Sequence, residues 1–141
     1  MIPNIQAISF NDINQPHIRT IRNSVFIDEQ GISPTLEFDG LDGSALHVLV
    51  SIDDVFVATG RLLNDGHIGR VAVLKEYRGL SLGTKVVNAL INEAKQQDYQ
   101  RVYLGSQVHA CEFYQKLGFV SYGETFLEAG IEHIHMQKVL Y

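Results

Sequence analysis

The hydrophobic period of this chain changes abruptly between residues 68 and 94. Ile68-Gly69-Arg70-Val71-Ala72-Val73-Leu74 is a β-branched, strand-like run. Beyond Lys75-Glu76-Tyr77-Arg78 the apolar positions fall at Leu82, Val86, Val87, Leu90, Ile91 and Ala94, the three- and four-residue spacing of a helix with one buried side. The connection, Arg78-Gly79-Leu80-Ser81-Leu82-Gly83-Thr84, has two glycines and a serine and opens the helix. Free backbone N–H groups at the positive end of a helix dipole make such a turn an anion site, suited to phosphate. Glycines before a helix are also common in plain tight turns, so the segment alone leaves both readings open. It is neither GxxxxGK[ST] nor GxGxxG.

The rest of the chain supplies a mostly antiparallel framework around this crossover. Asn4–Phe10 reads as a first strand, and Asn14-Gln15-Pro16 starts a helix with Ile18, Ile21, Arg22, Val25 and Phe26 on one face. Asp28–Ser44 breaks the pattern with Gly31, Pro34, Gly40 and Gly43 and holds five acids and no base. A connection of that length implies a short helix or part of a binding site. Ala45–Ile52, Val55–Leu63 and His67–Leu74 follow as strands joined at Asp53-Asp54 and Asn64-Asp65-Gly66. Arg101–Ser106 is a strand. Ala110, Phe113, Tyr114 and Leu117 mark a helix stopped at Gly118, and Phe119–Phe126 and Ile131–Leu140 close the chain. No repeat or low-complexity tract interrupts this order, which points to a mixed α/β fold with a largely antiparallel sheet.

Composition excludes several functions. With 141 residues and 45% hydrophobic content, one packed domain spanning 1–141 is expected. The net charge of −5 argues against nucleic acid as a partner. No apolar run approaches the roughly 18–20 residues of a membrane span, and the N-terminus has no basic, then apolar, leader pattern. A cytoplasmic protein is the expectation. One cysteine, Cys111, rules out an internal disulfide and a Cys-rich zinc site. His133 and His135 share a strand face without an evident third ligand, so no metal is expected. Residues 1–60 carry eight acids against two bases, whereas residues 61–141 carry eight against nine.

Two segments carry a family resemblance. Arg78-Gly79-Leu80-Ser81-Leu82-Gly83 resembles the (Arg/Gln)-x-x-Gly-x-(Gly/Ala) pyrophosphate loop of the GCN5-related N-acetyltransferases (GNAT). Downstream, Gln107-x-x-Ala110-x-x-Phe113-Tyr114-x-Lys116-x-Gly118-Phe119 resembles the family's fourth helix and the turn into its sixth strand. Order and spacing agree over nearly the whole chain. Val25-Phe26-x-x-Glu29-Gln30, Ile68-Gly69-Arg70 and Glu128-x-Gly130-Ile131-x-His133 are similar to the small bacterial ElaA/YjcF-type branch. Ser81 replaces the loop's usual first glycine, and Gln107 stands where asparagine is common.

The resemblance implies a GNAT-like fold: helices on both faces of a mostly antiparallel sheet, with a splayed parallel pair of fourth and fifth strands. It implies acetyl-CoA as co-substrate and transfer to an amine. Val71, Ala72 and Val73 would pair with the pantetheine arm, and Arg78, Gly79, Leu80, Ser81, Leu82, Gly83 and Thr84 would hold the pyrophosphate. Gln107 would touch pantetheine and Lys116 the 3′-phosphate side. Tyr114 would face the sulfur and protonate the leaving thiolate. Glu29, Glu128, His109 and His133 are candidates for the base that takes the amine's proton. The acids Glu29, Glu37, Asp39 and Asp42 suggest a small cationic acceptor. A non-catalytic acyl-CoA sensor and a peptide-directed acetyltransferase remain alternatives. Ile134, Met136 and Leu140 on the last strand either complete the sheet or pair with a second subunit, so a homodimer is possible.

Overall fold

The computed structural model describes residues 2–141. Its elements are β1 (Asn4–Ser9), α1 (Gln15–Arg22), α2 (Pro34–Glu37), β2 (Leu46–Ile52), β3 (Val55–Leu62), β4 (Ile68–Val73), α3 (Leu82–Gln96), β5 (Arg101–Gln107), α4 (Cys111–Lys116), β6 (Val120–Glu128) and β7 (Ile131–Val139). α1 runs directly into a π-helical stretch, Asn23–Glu29. Local chemistry starts and stops these elements. Asn11 Oδ1 accepts the N–H groups of Ile13 and Asn14 just ahead of α1. Asp53 and Asp54 both take positive φ, as a two-residue hairpin turn requires.

The strands form two antiparallel sheets, β1-β2-β3-β4 and β5-β7-β6. They meet at a single parallel bridge, His67 to Tyr103, beyond which β4 and β5 diverge. The expected splayed parallel pair is thus splayed along almost its whole length. Close approach at the bridge explains Gly66, where a Cβ would lie 2.6 Å from the Arg101 carbonyl oxygen. His67 stacks on Tyr103 with ring centroids 4.8 Å apart.

α3 covers one face of the first sheet. Its Leu82, Val86, Val87, Leu90, Ile91 and Ala94 are all buried, and Val102, Leu104 and Met136 of the second sheet join the same core. α1 covers the opposite face, packing Ile18 and Ile21 on Leu49 and Ala72. Helices on both faces follow. β7 is hydrogen-bonded on both edges, to β5 and to β6. The last strand therefore completes the sheet, and its edge is closed to a second subunit. Among the described residues, no helix is long and apolar enough to cross a membrane.

Candidate active site

The divergence of β4 from β5 opens a cleft of about 360 Å³. Its β4 wall carries unpaired backbone. Leu74 donates its N–H to Val57 on β3, so the alternation of a strand turns Val73 and Val71 toward the open edge. Ala72 is buried against α1 and faces β3, which leaves Val71 and Val73 as the two open residues of the expected three. A bulge precedes them: Thr59 pairs with Ala72 and Arg61 with Gly69, so Gly60 alone opposes Arg70 and Val71. Arg70 sits at φ 53 there. Gly60 is obligatory, because a Cβ would lie 2.5 Å from Val86 Cγ1.

The turn between β4 and α3 is exposed at Arg78, Gly79, Leu80 and Ser81, while Leu82 anchors it in the core. Ser81 adopts the left-handed region, φ 61, so the conformation that glycine would supply is kept at a steric cost. The first intrahelical bond runs from Lys85 N–H to the Ser81 carbonyl, leaving the N–H groups of Leu82, Gly83 and Thr84 free for an anion. Gly83 is held against Phe113, whose ring a Cβ would meet at 3.3 Å. Arg78 donates Nε to the Val73 carbonyl and its fork to both oxygens of Glu29, at 2.6 and 2.8 Å.

Tyr114, Glu128, His133, Gln107 and His109 all line the cleft. The Tyr114 ring packs edge-on against Phe113 and Phe119. Burial pushes its phenol up to about 12, so it keeps its proton at any physiological pH. Across the cleft, the hairpin turn at Ala129-Gly130 sets Glu128 opposite Ile131. The Ile131 carbonyl accepts the Nδ1 proton of His133 at 2.7 Å, which in the neutral ring leaves Nε2 as the lone-pair acceptor, 3.9 Å from Glu128 Oε2. Glu128 hangs over Gly105 of β5, whose Cβ position would be 3.8 Å from its Oε2. Gln107 donates its amide to Gln30 at 3.0 Å, closing the cleft's outer end.

Other expected residues lie elsewhere. Lys116 is exposed on α4 outside the cleft. Glu29 is held by Arg78, which lowers its pKa, so its carboxylate is a weak base standing outside the cleft wall. Glu37, Asp39 and Asp42 of the 28–44 segment are also paired, while Asp28 stands exposed. Arg22, fully buried, donates Nε to Glu37 and Nη1 to Asp42, both at 2.6 Å. Arg61 forks onto Asp39 and reaches Asp42 at 3.1 Å, and Arg70 contacts Glu37 and Asp39 at 3.2 Å. Four of the loop's five acids are thus engaged by arginines, with Asp28 the exception. Gln30, His67 and Arg70 also line the cleft. Sequence spacing gave no sign of their roles, because each reaches the site from a different element.

Residues 13–140 match the acetyltransferase (GNAT) domain family. The chain is 33% identical over 122 residues to the N-acetyltransferase YjcF of Bacillus subtilis (strain 168), covering 84% of this chain and 87% of that one. Against ElaA of Escherichia coli (strain K12) it is 34% identical over 127 residues, covering 84% and 82%. The crystal structure of E. coli ElaA superposes with a TM-score of 0.85 at 30% identity, over 97% of this chain and 99% of that one. An acyl-CoA N-acyltransferase from Pseudomonas aeruginosa gives a TM-score of 0.87 at 30% identity, over 98% and 100%. The splayed strands, the open N–H turn and these likenesses agree: the chain belongs to the GNAT family of acyl-CoA-dependent N-acyltransferases, close to ElaA and YjcF.

Proposed function

We propose that the protein, as one N-acetyltransferase domain, moves the acetyl group of acetyl-CoA directly to the primary amine of a small acceptor. The observation that carries this reading is the cleft itself, which holds a protonated phenol, Tyr114, and an imidazole lone pair, His133 Nε2, on the walls of one opening. The open edge at Val71 and Val73 and the free N–H groups at Leu82, Gly83 and Thr84 suit a pantetheine arm and a pyrophosphate.

The thioester supplies an activated carbonyl, and the residues supply proton traffic and polarisation. His133 Nε2 takes one proton from the acceptor's ammonium, and Glu128 stabilises the imidazolium that results. The neutral amine then forms the C–N bond while an N–H at the Val71 edge polarises the carbonyl oxygen. As the C–S bond breaks, the Tyr114 hydroxyl gives its proton to the sulfur. The second amine proton leaves through water and restores Tyr114. Glu128 is the carboxylate that the cleft offers to an incoming ammonium without an arginine already on it.

The test is thiol release from acetyl-CoA over a panel of primary amines. Tyr114→Phe lowers kcat by about 10²–10⁴-fold while acetyl-CoA affinity stays unchanged by calorimetry. Since the phenol titrates near 12, Tyr114 causes no alkaline loss of rate below about pH 11. Full activity in Tyr114→Phe would remove it as the acid.

A further inference from the structure

We infer that the acceptor carries a carboxylate as well as its amine, and that Arg70 receives it; this rests on the acceptor reading above. Arg70 stands in the β4 bulge at φ 53, which directs it to the wall made with Leu36 and Glu37. One edge of its guanidinium is fully engaged. Nε donates to the Glu37 carbonyl at 3.2 Å, and Nη2 donates to the carbonyls of Glu37 and Leu36 and to Asp39 Oδ2, at 3.0–3.3 Å. Nη1 is idle. Nη1 makes no hydrogen bond among the described residues, yet Arg61 Nε is the only buried side-chain polar atom there without a partner. Nη1 is therefore open to solvent, in a side chain that is 21% exposed and lines the cleft.

An arginine clamped through Nε and Nη2 with Nη1 free is a preorganised donor to a carboxylate oxygen, with little side-chain freedom left to lose. Arg22, Arg61 and Arg70 balance Glu37, Asp39 and Asp42 in formal charge, so what Arg70 offers the cleft is its unpaired Nη1 and not a net positive charge. Glu37 is already held by Arg22, and Asp39 by the fork of Arg61. Glu128 and His133 stand on the β6–β7 hairpin, and Arg70 on the β4 side. The cleft thus offers unpaired guanidinium N–H groups on one wall and proton acceptors on the other. That polarity fits an amino acid, whose ammonium goes to Glu128 and His133 while its carboxylate goes to Arg70. A polyamine would bring Nη1 no acceptor.

The experiment is calorimetric titration of the CoA-saturated protein with size-matched pairs: β-alanine and its amide, 4-aminobutanoate and butylamine, methionine and its amide. Thiol release from acetyl-CoA is measured on the same compounds. The expected result is binding of the acid at least about tenfold tighter than its uncharged twin in one or more pairs. In Arg70→Gly, which keeps the positive φ without strain, that preference disappears and CoA affinity stays within about twofold. Equal binding of acid and amide, binding of neither, or a preference that survives Arg70→Gly each overturns the inference. The wild-type comparison decides the ligand class even if the variant unfolds. Acid-selective binding without thiol release would sink the transferase reading and leave this one standing. Thiol release from amides as fast as from acids would do the reverse.

Discussion

Around Arg22 the arginine–carboxylate pairs are sealed from water, whereas at Arg78 the same chemistry stands in it. In the first region Arg22 is wholly buried, Glu37 is 3% and Asp42 5% exposed, and Arg61 and Arg70 share the same acids. In the second, the side chains of Arg78 and Glu29 are 42% and 35% exposed. Their distances are nearly identical, 2.6 Å for the shortest contact in each. Geometry alone would rank them equal. Burial separates them: a sealed pair cannot lose one member without leaving an unsolvated charge, while an exposed pair exchanges partners with water, salt or ligand. The sealed cluster ties the 34–44 segment to α1, β3 and the β4 bulge and so fixes one cleft wall. The exposed pair holds only until something better reaches Arg78.

Arg22→Met breaks this contrast hardest. It removes the partner of Glu37 and Asp42 while filling some of the volume, and the expected loss is about 3–5 kcal/mol by denaturant unfolding. A loss below about 1 kcal/mol, the range of surface pairs, would mean that the buried cluster behaves like the exposed one. Because the acids would also lose their hold on Arg70, any folded fraction should show weakened acceptor binding before weakened CoA binding.

The two regions also separate in pH. His47 donates Nε2 to the Asp42 carbonyl beside the cluster, and burial lowers its pKa from 6.5; burial lowers that of His67 as well. Both take up protons less readily in the fold than in the unfolded chain, where they titrate near 6.5. Their contribution is complete above pH 6.5 and is lost as pH falls below it, with a limiting slope of about 1.4 kcal/mol per pH unit for each group. Asp39, held down to about 2 against an ordinary 3.8 by the arginines, gives up its share only between those values. Burial pushes the Glu37 carboxyl up, which has the opposite sign and offsets part of the histidine loss at the acid end of the window. Unfolding free energies between pH 8 and 5 check this. A flat profile would contradict the burial of His47, and His47→Gln should flatten the slope.

Local chemistry was readable in the sequence, and pairings between distant segments were not. The switch from strand to helix period at 68–94 placed α3 correctly, with every one of its predicted apolar positions buried. The Asp53-Asp54 turn and the glycine-like demand on Ser81 follow from neighbouring residues alone. Arg22, by contrast, falls on the apolar face of α1, where spacing marks it as core but cannot say what makes a buried guanidinium tolerable. The acids that do so lie 15 and 20 residues away. The 28–44 segment likewise reads as five acids without a base because its bases, Arg61 and Arg70, arrive from β3 and β4. Net charge along a chain does not report charge at a place in the fold. The same limit hid the Arg78–Glu29 contact, across 49 residues.

The exposed pair gives the smallest and most discriminating effect. Arg78 now donates to Glu29 and to the Val73 carbonyl, yet both Arg78 and the Val73 edge are proposed to meet the co-substrate. Pyrophosphate taking the same fork of Arg78 would displace Glu29. Glu29→Gln removes the competing charge, so acetyl-CoA should bind up to about fivefold tighter, the value of an exposed pair of ~1 kcal/mol. Unfolding stability should change by no more than that. Kcat should hold, because Glu29 stands outside the cleft with its carboxylate already engaged. The gain should vanish near 1 M salt, where the screening length is about 3 Å. A hundredfold fall in kcat with unchanged acetyl-CoA affinity would instead make Glu29 the base and remove His133 from that role. An affinity gain that persists at high salt would show that the competition is steric, with the Glu29 side chain itself in the way.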